Sequence, residues 1–326
     1  MPIRSLRFRE FNNFNGDCYG FSTAQRQIRL ALERQGVNIV HDSKFEFQHL
    51  SPHLYERNCE YSFLTPTHEA DDIHPGLIKK INECFEVIAL CNHNKEVFLN
   101  NGVIKPIHVV TQGIDLDVFK YKRKKRGDKL RFLWIGQTSI RKGWDILANA
   151  FEKAFQGVND VHLYLKTTGA QDIINIGDNV TLDSRNLSLA DLLDIYDDNN
   201  VFVFASRGES TGIPAMESMA KGLICMAPQI QGLKEFIHED TAIPLDVEYV
   251  DANYGVKTKA PSVKIDDLVD KLRFVYDEYE NLIDLTKDVR GYIEKNCDIN
   301  DMARKLTEIM FRKELISGKN QSLVCC

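Results

Sequence analysis

Residues 205–222 read ASRGESTGIPAMESMAKG and set Glu209 and Glu217 eight positions apart around Gly212-Ile213-Pro214. On one continuous helix, eight steps of roughly 100° would leave the two carboxylates about 80° apart, on no shared seam. Proline fits the first turn of a helix and disrupts its interior, so the spacing predicts a helix starting at Pro214, with Glu209 in the preceding loop and Glu217 in the first turn. Such a helix leaves the backbone N–H groups of Gly212 to Met216 unpaired, and with the helix dipole they form an anion site fit for a phosphate. Carboxylates repel phosphate, so the two glutamates would serve hydroxyls beside it, such as the diols of a ribose and a hexose. The plainer alternative has Glu217 complementing the dipole and Glu209 as a solvated loop acid.

The elements that would position these groups are visible as short apolar runs at 37–41, 85–91, 107–111, 130–136, 161–166, 179–182, 200–205 and 223–227. Amphipathic segments at 21–36, 144–155 and 189–198 alternate with them, and Ser188 with Asp191 forms a capping-box start for the last. This rhythm predicts an α/β chain of doubly wound parallel sheets, in which ligands gather outside the carboxyl ends of strands. Two further loops stand at such ends. NGDCYGFS at 15–22 offers Gly16 and Gly20, either for a phosphate or for a tight turn with no ligand, and lacks the Gly-x-Gly-x-x-Gly fingerprint. WIGQTSIRKGWDIL at 134–147 places Arg141 and Lys142 where cations could face a diphosphate, or simply lie exposed. Asp115 and Asp117 have an Asp-x-Asp metal-binding form that arises readily by chance. Pro52 spoils a helical metal pair at His49 and His53.

A chain of 326 residues is comfortable for two domains, and 41 Lys and Arg against 47 Asp and Glu argue against binding nucleic acid by bulk charge. The start MPIRSLRFREF has no signal-peptide core, and no run of about 18 apolar residues occurs, so a cytoplasmic protein is expected. Eight scattered cysteines without a Cys-x-x-Cys pair point to reduced, buried thiols, and Cys325-Cys326 lacks the Cys-a-a-X prenylation form. Seven basic residues crowd FKYKRKKRGDK at 119–129, read as a solvated linker that an anionic lipid surface could meet peripherally. The expected division is 1–118, a linker at 119–129, a second domain at 130–297, a closing helix at 298–316 and a tail at 317–326.

The stretch from Glu209 to Glu217, with its Gly-Ile-Pro in register, resembles the Glu-x7-Glu motif of glycosyltransferase family 4, the retaining nucleotide-sugar transferases of GT-B fold. The likeness spans nearly the whole chain: GQTSIRKG at 136–143 is similar to that family's Gly-Arg-x-x-x-x-Lys-Gly, with Gln137 in place of the usual Arg. IHVVTQGIDLDVF at 107–119 is similar to the segment ahead of its interdomain linker, and 63–103 to amino-terminal segments of a subset of its members. The resemblance implies two Rossmann-like domains facing a cleft. The implied reaction is a retaining hexosyl transfer from a UDP-, GDP- or ADP-sugar to a hydroxyl of a glycan, lipid or small molecule, with no metal or other cofactor. Glu209 would hold the donor sugar, with His68 near it. Glu217 would hold the ribose, and Lys142, Arg141, Gly20, Ser210, Thr211, Gly212 and Ile213 the rest of the donor. A GT-B nucleotide-sugar epimerase and a non-catalytic nucleotide-sugar-binding subunit are the alternatives.

Overall fold

The computed structural model describes residues 4–9, 19–168, 173–177 and 179–321. The first sheet orders its strands β2-β1-β3-β4-β5-β6, all parallel. These are β1 (Arg4–Arg9), β2 (Val37–Ile39), β3 (Phe45–Leu50), β4 (Tyr61–Pro66), β5 (Glu86–Ala89) and β6 (Ile107–Val109). Helices α1 (Tyr19–Arg34), α2 (Pro75–Ile81) and α3 (Asn92–Asn100) connect them. The second sheet runs β13-β12-β11-β7-β8-β10-β9 and is parallel except for the edge strand β9. It contains β7 (Leu130–Ile135), β8 (Val161–Lys166), β9 (Ile173–Gly177), β10 (Val180–Asp183), β11 (Val201–Val203), β12 (Ile224–Pro228) and β13 (Ile243–Leu245). Helices α4 (Trp144–Ala154), α5 (Leu189–Asp198) and α6 (Ile213–Ala220) flank it, and β14 (Val247–Asn253) with β15 (Lys257–Val263) forms a separate hairpin.

The central strands of the second sheet are buried on two faces, which is why they read as continuous apolar runs. Phe132, Trp134 and Val203 pack with α4 and α7 (Ile265–Leu282) on one face of the second sheet. Leu133, Phe202 and Phe204 pack with α6 and α8 (Thr286–Asn296) on the other. In this sheet the chain leaves β7 toward β8 on one side and returns to β11 on the other. The carboxyl ends of β7 and β11 therefore form a topological switch point, where ligands bind in such sheets.

The final helix α9 (Ile299–Gln321) crosses back to the first domain, where Ile299, Met302, Leu306 and Met310 pack with Leu6, Ile28 and Phe47. The two crossings of the chain lie side by side: the Ile114 N–H donates to the Cys297 carbonyl (2.9 Å) and the Ile299 N–H to the Ile114 carbonyl (3.0 Å). The helix thus runs past the expected end at 316 and belongs to the first core; residues 322–326, with Cys325 and Cys326, lie outside the described residues.

The basic stretch 119–129 runs between the two sheets without regular structure and leaves Lys120, Lys122, Arg123 and Lys125 exposed, but parts of it are pinned to the second domain. Phe119 is buried in the second domain's core. Lys124 is buried against Asp197 (2.8 Å), Arg123 pairs with Asp284 (2.6 Å), and Arg126 pairs with Asp160 (2.8 Å) while lying over the Tyr276 ring. Acidic partners on the second domain have drawn these cations down onto its surface. Among the described residues, no helix is long and apolar enough to cross a membrane. Cys84, Cys91, Cys225 and Cys297 are buried free thiols.

Candidate active site

The loops after β7 and β11 are locked together. Trp134, buried in β7, donates its indole N–H to the Lys142 carbonyl (3.1 Å). Arg207 grips Asp145 at the start of α4 through two bonds (2.9 and 2.8 Å), and its own N–H donates to the Arg141 carbonyl (2.7 Å). Gly143, at φ +69°, lets the loops touch: a Cβ there would stand 1.8 Å from the Ala205 carbonyl oxygen. Gly143→Ala is therefore expected to lower stability by roughly 2 kcal/mol or more in denaturant unfolding, combining a backbone clash with left-handed strain.

This zipper delivers Lys142 to Glu209. The ammonium sits 2.6 Å from Glu209 Oε1, which also accepts from the Ser206 hydroxyl (2.7 Å), and Arg141 lies 3.6 Å away. Burial alone would push the Glu209 carboxyl up, but the Lys142 and Arg141 charges outweigh it and hold the group below the ordinary carboxylate range. Glu209 is thus an ionised acid in a buried setting, not a solvated loop residue.

Helix α6 begins at Ile213, directly after Gly212 in the left-handed conformation (φ +69°), without a side-chain cap. Pro214 has no N–H, and the N–H groups of Ala215 and Met216 both turn back to the Gly212 carbonyl (3.0 and 3.4 Å). The donors expected over Gly212 to Met216 therefore narrow to those of Gly212 and Ile213. Glu217 is the fifth helical residue rather than a member of the first turn. It is buried and accepts a hydrogen bond from the Tyr196 hydroxyl (2.8 Å). Burial raises its carboxyl to about 7, with the Tyr196 bond pulling the other way.

A carboxyl raised in the folded state stabilises the fold fully below its unfolded value and loses that contribution as pH rises through its folded value. Glu217→Gln is accordingly expected to lose less thermal stability than wild type between pH 5 and pH 8, by at most about 3 kcal/mol. Thermal unfolding of both proteins at the two pH values checks this.

A cleft of about 290 Å³ gathers these groups between the two domains. The second domain lines it with Gln137, Arg141, Lys142, Glu209, the Ser210-Thr211-Gly212-Ile213 turn and Glu217. The first domain contributes Thr23, His49, Thr67 and Glu69. Burial lowers the His49 imidazole to about 4, so it stands neutral in the wall. His68 turns away: its Nε2 meets the Asp72 carbonyl (2.9 Å), and its neighbours Thr67 and Glu69 line the cleft in its place. Gly20 falls in the first turn of α1, and the rest of its expected loop, residues 15–18, lies outside the described residues. Asp115 pairs with Arg34 and accepts the Asp117 N–H (3.1 Å), so it braces a turn at the domain crossing.

Four titratable lining residues were not read from the sequence as donor-site groups: His49, weighed there only as a metal ligand, Glu69, Lys166 and Arg185. Lys166 ends β8, and its position at the carboxyl end of a parallel strand was an available signal. Its ammonium is committed to the carbonyls of Thr167, Asp183 and Arg185, which use its three donors. Arg185 is clamped by both oxygens of Asp183 (3.1 and 2.9 Å).

Solved structures share this architecture across almost the full chain. Sucrose-phosphate synthase from Thermosynechococcus elongatus matches with a TM-score of 0.65 at 17% identity, covering 91% of this chain and 79% of that one. HepE from Anabaena, solved in complex with UDP and glucose, matches at 0.67 and 11% identity, covering 94% and 99%. A glycosyltransferase from Rickettsia africae matches at 0.62 and 16%, covering 93% and 84%. The fold is GT-B. In sequence, residues 129–253 match the family model described as Glycosyl transferases group 1. That segment of the GT-B chain carries Lys142, Glu209 and Glu217. No curated protein matches the chain in sequence.

Proposed function

We propose that this chain transfers a sugar from a nucleoside diphosphate sugar to an acceptor hydroxyl, with retention at the anomeric carbon and without a metal. The observation that carries the reading is the Lys142–Glu209 pair, 2.6 Å apart, beside the amino terminus of α6 in the interdomain cleft. The group 1 match over the same segment supports it. Because HepE was solved with UDP and glucose, a UDP-sugar is the first donor to test.

Lys142 has three N–H donors and can keep Glu209 while offering another to the departing diphosphate. The Gly212 and Ile213 N–H groups and the α6 dipole meet the same oxygens, so developing negative charge is stabilised by groups already in place. Arg141 supplies the second cation that Gln137 does not: it donates to the Gly208 carbonyl, and its guanidinium reaches Glu209 and Glu69 at 3.6 and 3.8 Å. Glu209, kept ionised by these cations, accepts hydroxyls of the donor sugar, and Glu217 accepts the ribose diol. No side chain is assigned as a nucleophile; the acceptor attacks on the face from which the diphosphate leaves.

A thermal-shift panel of UDP-, GDP- and ADP-sugars tests donor binding, because a ligand at 100 times its dissociation constant stabilises by about 2.7 kcal/mol. One base should stand out, and no shift with any of them would remove the reading. Conversion of the donor sugar without an acceptor would instead indicate an epimerase.

A further inference from the structure

We infer that Gln231 is a positioning residue that couples approach of the first domain to placement of Glu209. It sits in the short turn Gln231–Glu235 after β12 and is the one non-glycine residue with positive φ among the described residues, at 41°. Side chains with a Cβ rarely adopt this conformation, and it persists only where surrounding contacts over-determine it. Those contacts are visible. Its buried amide faces both domains at once: Oε1 accepts the Glu209 N–H (2.8 Å) and Nε2 donates to the Glu69 carbonyl (3.1 Å).

Three backbone segments meet around it without side chains to separate them. A Cβ on Gly208 would stand 2.7 Å from the Glu69 carbonyl oxygen, and one on Gly232 would stand 1.8 Å from the Ser210 carbonyl oxygen. Asn94 makes a parallel link, its Oδ1 accepting the Ser210 hydroxyl (2.9 Å) while its Nδ2 donates to the His68 carbonyl (3.3 Å). Farther out, the Asn92 N–H at the start of α3 donates to Glu235 (2.8 Å). The chain crosses between domains only near Ile114 and Asp298 in the described residues, so these contacts form a clasp away from the crossing strands. When the domains separate, the Nε2 bond to Glu69 breaks, and the amide that fixes Glu209 loses its anchor on the other wall.

The inference rests on the reading of the cleft as a nucleotide-sugar site, and two substitutions separate it from a merely structural role. Gln231→Glu keeps an acceptor for the Glu209 N–H and loses the donor to Glu69. Gln231→Gly removes both bonds and relaxes the positive φ. Both variants are expected to bind UDP within about three-fold of wild type and to lose at least about ten-fold in kcat on the UDP-sugar, because misplacement of a positioned group acts on turnover. Relief of the positive φ offsets part of the two lost bonds in the glycine variant, so its unfolding temperature should fall less than that of Gln231→Glu while its kcat falls at least as far. A kcat within about two-fold of wild type in both variants, or losses that track a fall in melting temperature, would overturn the inference. Should wild type bind no nucleotide, the donor reading fails, and small-angle scattering of the unliganded proteins decides the clasp alone. A larger radius of gyration in both variants supports it, and an unchanged radius overturns it.

Discussion

Glu209→Gln is expected to bind UDP as well as wild type or more tightly, and to lose at least about 100-fold in kcat, the usual scale for removing one pre-placed electrostatic group. The carboxylate stands among cations that a diphosphate would also use, with Lys142 at 2.6 Å and Arg141 at 3.6 Å. Removing its charge removes a repulsion toward the diphosphate, which sets the sign for UDP. The sugar hydroxyls, however, lose an acceptor that burial and two cations have kept ionised. The Ser206 hydroxyl, now donating to Glu209 Oε1, can still bond the amide oxygen, so the loop should keep its shape. Calorimetry with UDP and steady-state turnover of the UDP-sugar check the two halves separately. Weakened UDP binding with normal kcat would contradict the assignment.

Lys142→Ala is expected to cost more: about 10- to 100-fold in UDP affinity and at least about 1,000-fold in kcat/KM, since it removes both a phosphate contact and the counter-charge of Glu209. The second effect has a signature in pH. Lys142 helps hold the Glu209 carboxyl low, so without it the carboxyl rises toward the value that burial favours. The acid limb of the residual activity should then move to higher pH, with activity lost earlier as pH falls. Lys142→Arg should recover the charge and part of the affinity, but not the point-like geometry that lets one ammonium serve carboxylate and phosphate together. An unchanged acid limb in the alanine variant would separate the lysine from the acid.

Much of the second domain was legible because its site is local in sequence. The Gly-Ile-Pro break sets the start of α6, and the Ser188–Asp191 box starts α5 as its residue types require. The one-residue difference at α6, Ile213 rather than Pro214, makes Glu217 the fifth helical residue instead of the fourth, and Tyr196 reaches it there. The first domain was harder to read. FEFQHL and YSFLTP, which form β3 and β4, carry buried polar groups that mask their pattern: Gln48 and Ser62 both donate to Glu46 (2.7 and 2.9 Å) inside the sheet. With those strands unread, His49 near the end of β3 and Glu69 just after β4 could not be placed at strand ends, where the cleft is built.

Long-range partners were also invisible. An amphipathic stretch at 299–321 shows that a helix packs, not which core it packs on. In the basic run at 119–129 the contacts of Arg123, Lys124 and Arg126 could not be read because their partners Asp284, Asp197 and Asp160 are distant in sequence. Gln231 carries no local signal at all, since its role depends on Glu69 and Glu209 arriving from two domains.

The most direct measurement is proton NMR of turnover with the donor selected by thermal shift, a set of hydroxyl acceptors and an excess of chelator. Retaining, metal-independent transfer would release the nucleoside diphosphate and give a product whose anomeric configuration is that of the donor. An inverted product, or activity that returns only when a divalent metal is restored, would contradict it.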